Sequence, residues 1–218
     1  MIVNSQNYHI DHLRSAKLIT AEFKSNGIDR KRHLLEAMTH VTLAGHVMEF
    51  GVYRGKTMQH ISTHFAQQTC WGFDSFQGLP EPWYTHEPTH TNHPAGHFDL
   101  RVEQELPVFA PNVRLVAGWF QDTIPAWLAN NAGPVSFLHV DCDLYSSART
   151  VLHLLNDRVV PGSILVFDEM CPWTNLQDYP LWSQGEYKAL AEWVSMHDRE
   201  FEPLLRNSYQ QCTIKILR

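Results

Sequence analysis

Long apolar runs and an excess of basic residues are both missing from this 218-residue sequence. No segment approaches the roughly 20 apolar residues needed to cross a bilayer, and the first residues lack the basic and then apolar pattern of a secretory signal. We therefore expect a cytoplasmic protein with no membrane partner. The 23 Asp and Glu residues outnumber the 17 Lys and Arg residues and give a formal charge of −6. Nucleic acid is a poor candidate partner, because binding a phosphate backbone requires a basic surface.

Cysteine is scarce and scattered. The four cysteines form no C-x-x-C pair and no dense framework of the kind that makes disulfides or holds zinc; they are Cys70, Cys142, Cys171 and Cys212. We expect reduced, mostly buried thiols. Apolar residues make up 44% of the chain, which is enough for one substantial core at this length. A single α/β domain is therefore expected rather than two.

Strand-like and helix-like patterns alternate along most of the chain, with no linker or internal repeat. Seven segments have the pattern of strands, at residues 46–50, 70–74, 113–117, 135–141, 163–167, 201–206 and 212–217. Six have the periodicity of amphipathic helices, at residues 9–23, 29–43, 57–67, 123–130, 146–155 and 186–197. This alternation predicts an α/β fold with a mostly parallel seven-stranded sheet and helices on both faces. The last two strands predict an antiparallel hairpin that closes the sheet edge.

A glycine-bearing turn after the first sheet strand points to a nucleotide-like ligand. Three residues separate Gly51 from Gly55, one fewer than in a Walker A loop, and Phe50 stands where the first glycine of that loop should be. The dinucleotide fingerprint also fails, since Tyr53 occupies the position of its second glycine. A P-loop-like nucleotide-binding hydrolase stays an alternative, because the apolar run ending at residues 168–169 is similar to a Walker B strand.

An acidic residue ends the second strand, where a nucleoside site needs one. Asp74 follows Gly51 by 74 − 51 = 23 residues, close to the roughly 20 expected between a glycine turn and the acid that binds a ribose. A carboxylate can accept hydrogen bonds from both ribose hydroxyls. Since the turn has few glycines to cradle a polyphosphate, a nucleoside without one, such as S-adenosylmethionine, suits it better.

Two acidic clusters follow neighbouring strands further along the chain. Asp141 and Asp143 come at the end of one strand pattern, and Asp168 and Glu169 at the end of the next. Ligands of open α/β sheets bind outside the carboxyl ends of the strands. These carboxylates therefore predict a functional site at that edge of the sheet.

Five short motifs along the chain are more specific in combination than any one of them alone. They are EFGVYRG at residues 49–55, GFDSFQGLP at 72–80, GWFQDT at 118–123, VDCDLYSS at 140–147, and PG with DE at 161–162 and 168–169. Together they resemble successive motifs of the macrocin O-methyltransferase family, from about Gly45 to the C-terminus. The resemblance implies a Rossmann-like class I methyltransferase that uses S-adenosylmethionine and a small-molecule hydroxyl acceptor, such as a sugar or a natural product. Residues 45–218 would form this domain, and residues 1–44 a helical lid or a contact in a homo-oligomer.

The resemblance also implies which residues bind the cofactor. Its methionine part would contact Glu49, Gly51 and Tyr53. Its ribose would contact Asp74 and Ser75, and its adenine would lie near Gly118, Trp119 and Phe120. Gly55 would also bind the cofactor. Asp141 would also border the cofactor.

A divalent cation, usually magnesium, is implied by the same resemblance, with Asp141, Asp168 and Glu169 as its ligands. Glu169 departs from the Asp-Asp pair that is common in the family; a glutamate reaches one methylene further, and magnesium demands near-octahedral geometry. Methyl transfer needs an acceptor oxygen aligned with the sulfonium carbon and a base for its proton. We predict that Asp141 is that base. His139, two residues earlier on the same strand face, is a second candidate for a direct role.

Two long loops without periodicity, at residues 75–97 and 170–185, contain several prolines and aromatic residues, and we expect them to wall an acceptor pocket. The histidines between residues 86 and 97 have no accompanying cysteine or acidic spacing that would predict zinc. Most of them are expected to be exposed, and His86 is the one expected to contact the acceptor. The sequence thus predicts O-methyl transfer, with a P-loop-like hydrolase or a non-catalytic cofactor-binding protein as alternatives.

Overall fold

A computed structural model describes residues 24–25, 29–85, 93–101, 108–170, 181–207 and 210–218. Its helices are α1 (Arg30–Thr39), α2 (Lys56–His64), α3 (Phe120–Leu128), α4 (Tyr145–Leu154) and α5 (Glu186–Met196), with short 3-10 turns at Asn156–Arg158 and Trp182–Gln184. The strands are β1 (Lys24–Ser25), β2 (His46–Phe50), β3 (Cys70–Asp74), β4 (Val113–Ala117), β5 (Val135–Val140), β6 (Val159–Phe167), β7 (Phe201–Arg206) and β8 (Cys212–Ile216). The helix predicted at residues 9–23 lies outside the described residues. Among the described helices, none has both the length and the apolar character that crossing a membrane requires.

The strands form one sheet in the order β1-β7-β8-β6-β5-β2-β3-β4. All neighbouring pairs are parallel except the two that β8 makes, with β6 and with β7. The predicted mostly parallel sheet with a C-terminal antiparallel hairpin is therefore confirmed. The structure adds one short strand, because Lys24 and Ser25 pair with Leu205 and Arg206 on the outer side of β7. An open strand edge offers unpaired N–H and C=O groups to such a segment, so β1 rather than the hairpin lies at this edge.

The boundaries of the predicted elements differ from the observed ones by a few residues, for local reasons. Helix α1 begins at Arg30 because the side chain of Asp29 accepts a hydrogen bond from the Lys31 N–H and caps the helix. Strand β6 begins earlier than predicted, at Val159. Its residues 160–163 bulge out of register with β5, and a bulge is where a strand tolerates a proline, which here is Pro161.

The two faces of the sheet have separate apolar cores. On one face the cluster includes Trp127 of α3, Val151 of α4 and Trp193 of α5; on the other it includes Leu34 of α1 and Ile61 of α2. All six residues of the central strand β5 are buried, as expected for a parallel strand that is covered on both faces. The predicted placement of helices on both faces is confirmed.

A buried histidine helps to hold helix α1 on the face of the sheet that also carries α2. The side chain of His33 is fully buried, and a 2.8 Å hydrogen bond joins its Nε2 to Oγ1 of Thr213 on β8. Burial lowers the pKa of His33 to about 4, with the charge of Asp168 opposing this shift and that of His139 adding to it. A neutral imidazole is therefore part of the folded protein at neutral pH.

We expect this histidine to make the protein less stable in mild acid. The unfolded chain takes up the proton near pH 6.5, whereas the folded protein resists it down to about pH 4. The stability that neutral His33 contributes is therefore present above about pH 6.5 and is lost as the pH falls toward 4, at up to about 1.4 kcal/mol per pH unit. Urea unfolding of the wild type and His33→Gln at pH 7, 6 and 5 should show the difference between them shrinking or reversing by about 2 kcal/mol. A difference that is independent of pH would contradict this account.

Candidate active site

The register of four parallel strands brings their carboxyl ends together. Phe50 of β2 is paired with Phe73 of β3 on one side and with Val140 of β5 on the other, and Val140 is paired with Phe167 of β6. The next residue of each chain segment is therefore at the same edge of the sheet; these residues are Gly51, Asp74, Asp141 and Asp168. The chain continues from β2 to β3 in one direction across the sheet, and later from β5 to β6 in the opposite direction. The strand order therefore reverses between the neighbouring strands β2 and β5. Ligands of doubly wound sheets bind at this point.

A cavity of about 820 Å³ opens at this edge. Eight of the ten predicted cofactor residues line it: Gly51, Tyr53, Gly55, Asp74, Ser75, Trp119, Phe120 and Asp141. Glu49 and Gly118 are not among the lining residues. Of the predicted metal ligands, Asp141 and Glu169 line the cavity, whereas Asp168 lies behind it. The volume falls within the range of small-molecule sites, which is roughly 300–1,000 Å³.

Gly51 is the point of closest approach between the glycine turn and the loop that follows β5. Its φ of 95° lies in the left-handed region, which favours glycine. A Cβ at this position would lie 1.7 Å from the carbonyl oxygen of Asp141. At Gly55, with a φ of 73°, a Cβ would lie 2.2 Å from the ring of Phe109. Both glycines of the predicted turn are therefore required by its shape.

Asp74 ties the glycine turn to the end of β3. Its Oδ2 accepts hydrogen bonds from the backbone N–H groups of Val52, at 2.9 Å, and Tyr53, at 2.7 Å, and its Oδ1 accepts one from Phe76 at 2.7 Å. An ionised carboxylate has about four acceptor positions, so capacity remains for one further donor from a ligand in the cavity. The sequence pattern identifies the acid but not these three backbone donors.

Glu49 and His139 form a fully buried pair behind the cavity. His139 Nδ1 lies 3.0 Å from Glu49 Oε1, and His139 Nε2 lies 3.5 Å from Asp168 Oδ1. Burial opposes protonation of the imidazole, but its hydrogen bonds to Asp168 and Glu49 outweigh that effect, and the pKa of His139 is raised well above its ordinary value. The imidazole of His139 thus links two predicted site residues, Glu49 and Asp168. Contact between Glu49 and the cofactor stays a prediction, since the glutamate side chain is 0% exposed.

The three predicted metal ligands converge. One ligand oxygen from each of Asp141, Asp168 and Glu169 lies within 4.8 Å of the others. Oε2 of Glu169 is buried and has no hydrogen-bond partner among the described residues. Burial and the charge of Asp168 raise the pKa of Glu169. Burial acts the same way on Asp168, but the hydrogen bond from His139 and the charge of Arg30 outweigh it and lower the pKa of Asp168 to about 2.

Arg30, at the start of α1, contacts two of these carboxylates from the side of the cavity. Its Nη1 lies 2.8 Å from Asp168 Oδ2 and its Nη2 lies 3.2 Å from Glu169 Oε1. Gln211 also donates to Asp168, through Nε2 to Oδ1. Sequence reasoning missed Arg30, because it lies well before β2 and no motif includes it.

Glu186 is a second residue that sequence reasoning missed. It is the first residue of α5, and its carboxylate accepts hydrogen bonds from the backbone N–H groups of Glu169, at 3.0 Å, and Cys142, at 3.4 Å. Burial raises its pKa to about 8. Glu186 thereby joins the loops that follow β5 and β6. An acid in the first turn of a predicted helix can be recognised in the sequence. The sequence does not reveal which loops that acid joins.

Aromatic side chains cover the other side of the cavity. Trp83 stacks on His93 with ring centroids 4.8 Å apart, and both line the cavity together with Phe98. Ser146, at the start of α4, donates a 2.5 Å hydrogen bond to Glu81 across the cavity mouth. His86 and His90, and residues 171–180 of the second aromatic loop, lie outside the described residues. The described part of the first loop lines the cavity, and its role as a wall for the acceptor stays a prediction.

The fold and the site together define the class I methyltransferase fold, with a doubly wound sheet, an antiparallel strand next to its last parallel strand, and a nucleoside-type cavity where the strand order reverses. The crystal structure of CalS11, a calicheamicin methyltransferase, has the same fold: it superposes with a TM-score of 0.63 at 18% identity, over 99% of this chain and 94% of that one. A family profile described as Macrocin-O-methyltransferase (TylF) matches residues 20–180. The chain belongs to the macrocin O-methyltransferase family.

Two curated relatives show how far the similarity extends. Demethyldecarbamoylnovobiocin O-methyltransferase of Streptomyces niveus is 28% identical over 166 residues, which cover 67% of this chain and 62% of the relative. The 8-demethyl-8-(2,3-dimethoxy-alpha-L-rhamnosyl)-tetracenomycin-C 4'-O-methyltransferase of Streptomyces olivaceus is 25% identical over 157 residues, 65% of this chain and 59% of that protein. The chain thus spans about three-fifths of the length of these relatives.

Proposed function

We propose that this protein is an S-adenosylmethionine-dependent O-methyltransferase that acts on a hydroxyl group of a small molecule, such as a sugar attached to a natural product. The observation that supports it best is the single cavity in which the glycine turn, Asp74 and the acidic residues after β5 and β6 meet. Membership of the family favours methyl transfer over the P-loop alternative. The name of one relative contains a rhamnosyl group, which supports a glycosylated acceptor.

The cofactor would lie along the edge of the sheet from β5 to β4. The glycine turn, with Gly51, Tyr53 and Gly55, would face its methionine part, and the free acceptor position of Asp74, beside Ser75, would take a ribose hydroxyl. Trp119 and Phe120 would lie against the adenine, with Gly118 behind them. Glu49 would act from behind the cavity, through His139.

Asp141 is the proposed base. It lines the cavity beside the glycine turn, so an acceptor hydroxyl that approaches the methyl group would lie within its reach. Burial and the charge of Asp168 raise the pKa of Asp141 well above its ordinary value, and His139 opposes this shift. A carboxylate with a raised pKa holds a proton more strongly than an exposed one, and this makes it the better base for a hydroxyl proton. The cavity walls would hold the acceptor in line with the methyl group, which is the larger part of the catalytic effect.

The residues present fit a divalent cation. Asp141, Asp168 and Glu169 offer converging oxygen atoms, and the buried Oε2 of Glu169 has no other partner among the described residues. Oxygen donors are the ligands that magnesium prefers. When bound there, the cation would lower the pKa of an acceptor hydroxyl. The protein's part is to hold these carboxylates in place, with Gln211 and His139 on Asp168 and Glu186 on the backbone of Glu169.

Residues 1–44, which precede the proposed methyltransferase domain at 45–218, are proposed as a cover for the site or a contact between copies of the chain, with α1 packed on one face of the sheet. The reach of Arg30 from α1 into the carboxylate cluster supports a role of this segment at the site. We also propose a cytoplasmic location.

The first experiment is a calorimetric titration of the full chain with S-adenosylhomocysteine, S-adenosylmethionine and Mg-ATP. We expect saturable binding of the first two and none of ATP. In Asp74→Asn, the affinity for S-adenosylhomocysteine should fall by about 10- to 100-fold, because a hydrogen bond to a charged group contributes roughly 1.5–3 kcal/mol and the turn loses its anionic acceptor. ATP binding without either nucleoside would replace the methyltransferase proposal with the P-loop one.

Asp99→Asn is the matched control for this titration. Asp99 also accepts a hydrogen bond from a backbone N–H, that of Arg101 at 2.8 Å, but it does not line the cavity. The affinity of the Asp99→Asn variant for S-adenosylhomocysteine should stay within twofold of that of the wild type. An equal loss in the two variants would show that Asp74 acts on general stability rather than on the cofactor. Binding without methyl transfer to any glycosylated acceptor would favour the non-catalytic alternative.

A further inference from the structure

The guanidinium of Arg30 is held as a fork across two carboxylates. Nη1 pairs with Asp168 Oδ2 and Nη2 with Glu169 Oε1, at 2.8 and 3.2 Å, and Nη2 also lies 3.4 Å from Gln210 Oε1. The backbone of Arg30 is fixed by the cap of Asp29 at the start of α1. Such a two-pronged contact is directional, and this is how arginine recognises carboxylates.

The two partners of Arg30 differ from it in burial. The side chains of Asp168 and Glu169 are 2% and 3% exposed, whereas that of Arg30 is 47% exposed. The arginine thus reaches the buried carboxylates from the solvent side and can leave them without disturbing the core. The carboxylates cannot leave, and a buried charge without a counter-charge is unfavourable. A cation beside them offsets this cost, and Arg30 supplies one.

Arg30 holds one oxygen of each of two predicted metal ligands, Oδ2 of Asp168 and Oε1 of Glu169. Asp168 Oδ1 already accepts from Gln211 and lies 3.5 Å from His139. Oδ2, the oxygen of Asp168 with the most capacity left, is the one that Arg30 contacts. A second cation beside the guanidinium would be repelled by it, because charges of like sign at contact distance raise the energy of both.

We propose that Arg30 and a divalent cation are alternative partners of Asp168 and Glu169, so that metal binding requires Arg30 to leave. This inference rests on the metal site of the proposed function. In the absence of metal, Arg30 compensates the buried carboxylates; when metal binds, the guanidinium is released toward the cavity. Arg30 thereby lowers the apparent metal affinity, because only the fraction of molecules with Arg30 displaced is competent to bind.

The test is calorimetric titration of the full chain with Mn²⁺, and then Mg²⁺, in the wild type, Arg30→Gln and Arg30→Lys. We expect Arg30→Gln to bind one ion at least tenfold more tightly than the wild type, and Arg30→Lys to lie between them, since it keeps the charge but not the fork. Arg32→Gln is the matched control; Arg32 is exposed two residues further along α1, and its loss should change the affinity by less than twofold.

Thermal unfolding supplies a readout that does not depend on activity. Without metal, Arg30→Gln should have a lower Tm than the wild type, because Asp168 and Glu169 lose their counter-charge. Saturating Mg²⁺ should raise the Tm of Arg30→Gln by more than it raises that of the wild type. The same measurement shows that each variant is folded.

Equal or weaker metal binding by Arg30→Gln, with the wild type still binding, would overturn the competition and leave the metal site intact. No metal binding by any variant would overturn both the competition and the metal part of the proposed function, while the S-adenosylhomocysteine titration would still decide the methyltransferase proposal. Binding in the wild type that Asp168→Asn does not weaken would place the ion elsewhere and overturn the competition.

Discussion

Methyl transfer is expected to fall by about 10²- to 10⁴-fold in Asp141→Asn, which is the contribution of a positioned general base. Asparagine has the shape of aspartate, so the backbone contact between residue 141 and Gly51 is preserved. The affinity for S-adenosylhomocysteine should therefore change by less than tenfold. The measurement is turnover at saturating S-adenosylmethionine, with an acceptor found by screening glycosylated natural products against the wild type, together with the titration of the cofactor product.

Asp143→Asn is the control for the base. Asp143 lines the same cavity, and burial raises its pKa to about 7. Its φ of 61° is left-handed, a conformation that asparagine also tolerates. We expect a loss of less than tenfold in turnover. Full activity of Asp141→Asn, or a greater loss in Asp143→Asn than in Asp141→Asn, would show that the base is assigned to the wrong residue.

Gly51→Ala should have the largest effect on both stability and cofactor binding. The new Cβ would lie 1.7 Å from the Asp141 carbonyl oxygen, so the glycine turn and the loop after β5 must move apart. We expect the left-handed conformation to cost roughly 1–2 kcal/mol and the overpacking roughly 1–3 kcal/mol more. The affinity for S-adenosylhomocysteine should fall by more than tenfold, since both displaced segments line the cavity.

Gly96→Ala separates the cost of the left-handed conformation from the cost of overpacking. Gly96 has a left-handed φ of 79°, but a Cβ there meets no atom within 4 Å. Urea unfolding of this variant should show only the conformational cost of roughly 1–2 kcal/mol, and cofactor binding should be unchanged. If Gly51→Ala were no less stable than Gly96→Ala and bound the cofactor product normally, the close approach of the two segments would not matter for the site.

Most of the sheet was predictable because apolar periodicity and strand length are local properties. The predicted bounds of β2, β3, β4 and β7 agree with the structure, and those of β5 and β8 differ by one residue. The register among β2, β3, β5 and β6 follows from parallel pairing, so the sequence also placed Asp74, Asp141 and Asp168 at one edge. Strand β1 was not predictable, since two residues have no periodicity and their pairing depends on an open edge of β7.

The roles of the individual site residues were less accessible from the sequence. The pattern identified Asp74, but its three backbone donors come from the folding of the turn around it. The family resemblance implied that Glu49 contacts the cofactor, whereas the structure places its side chain against His139 and not among the residues that line the cavity. A face periodicity of two predicts that His139 and Asp141 are neighbours; it does not predict that His139 lies between Glu49 and Asp168.

The sequence by itself determined the fold class, the family and the edge of the sheet where the cavity lies, because each depends on short motifs and on the order of strands. Only the tertiary structure decided which cation faces the acidic residues. Arg30 and Glu186 are far in sequence from Asp168 and Glu169, and they meet these residues because α1 and α5 pack against the sheet with their first residues at its carboxyl edge. Charge compensation inside a protein depends on distance in space and on burial, and neither can be deduced from the spacing of residues along the chain.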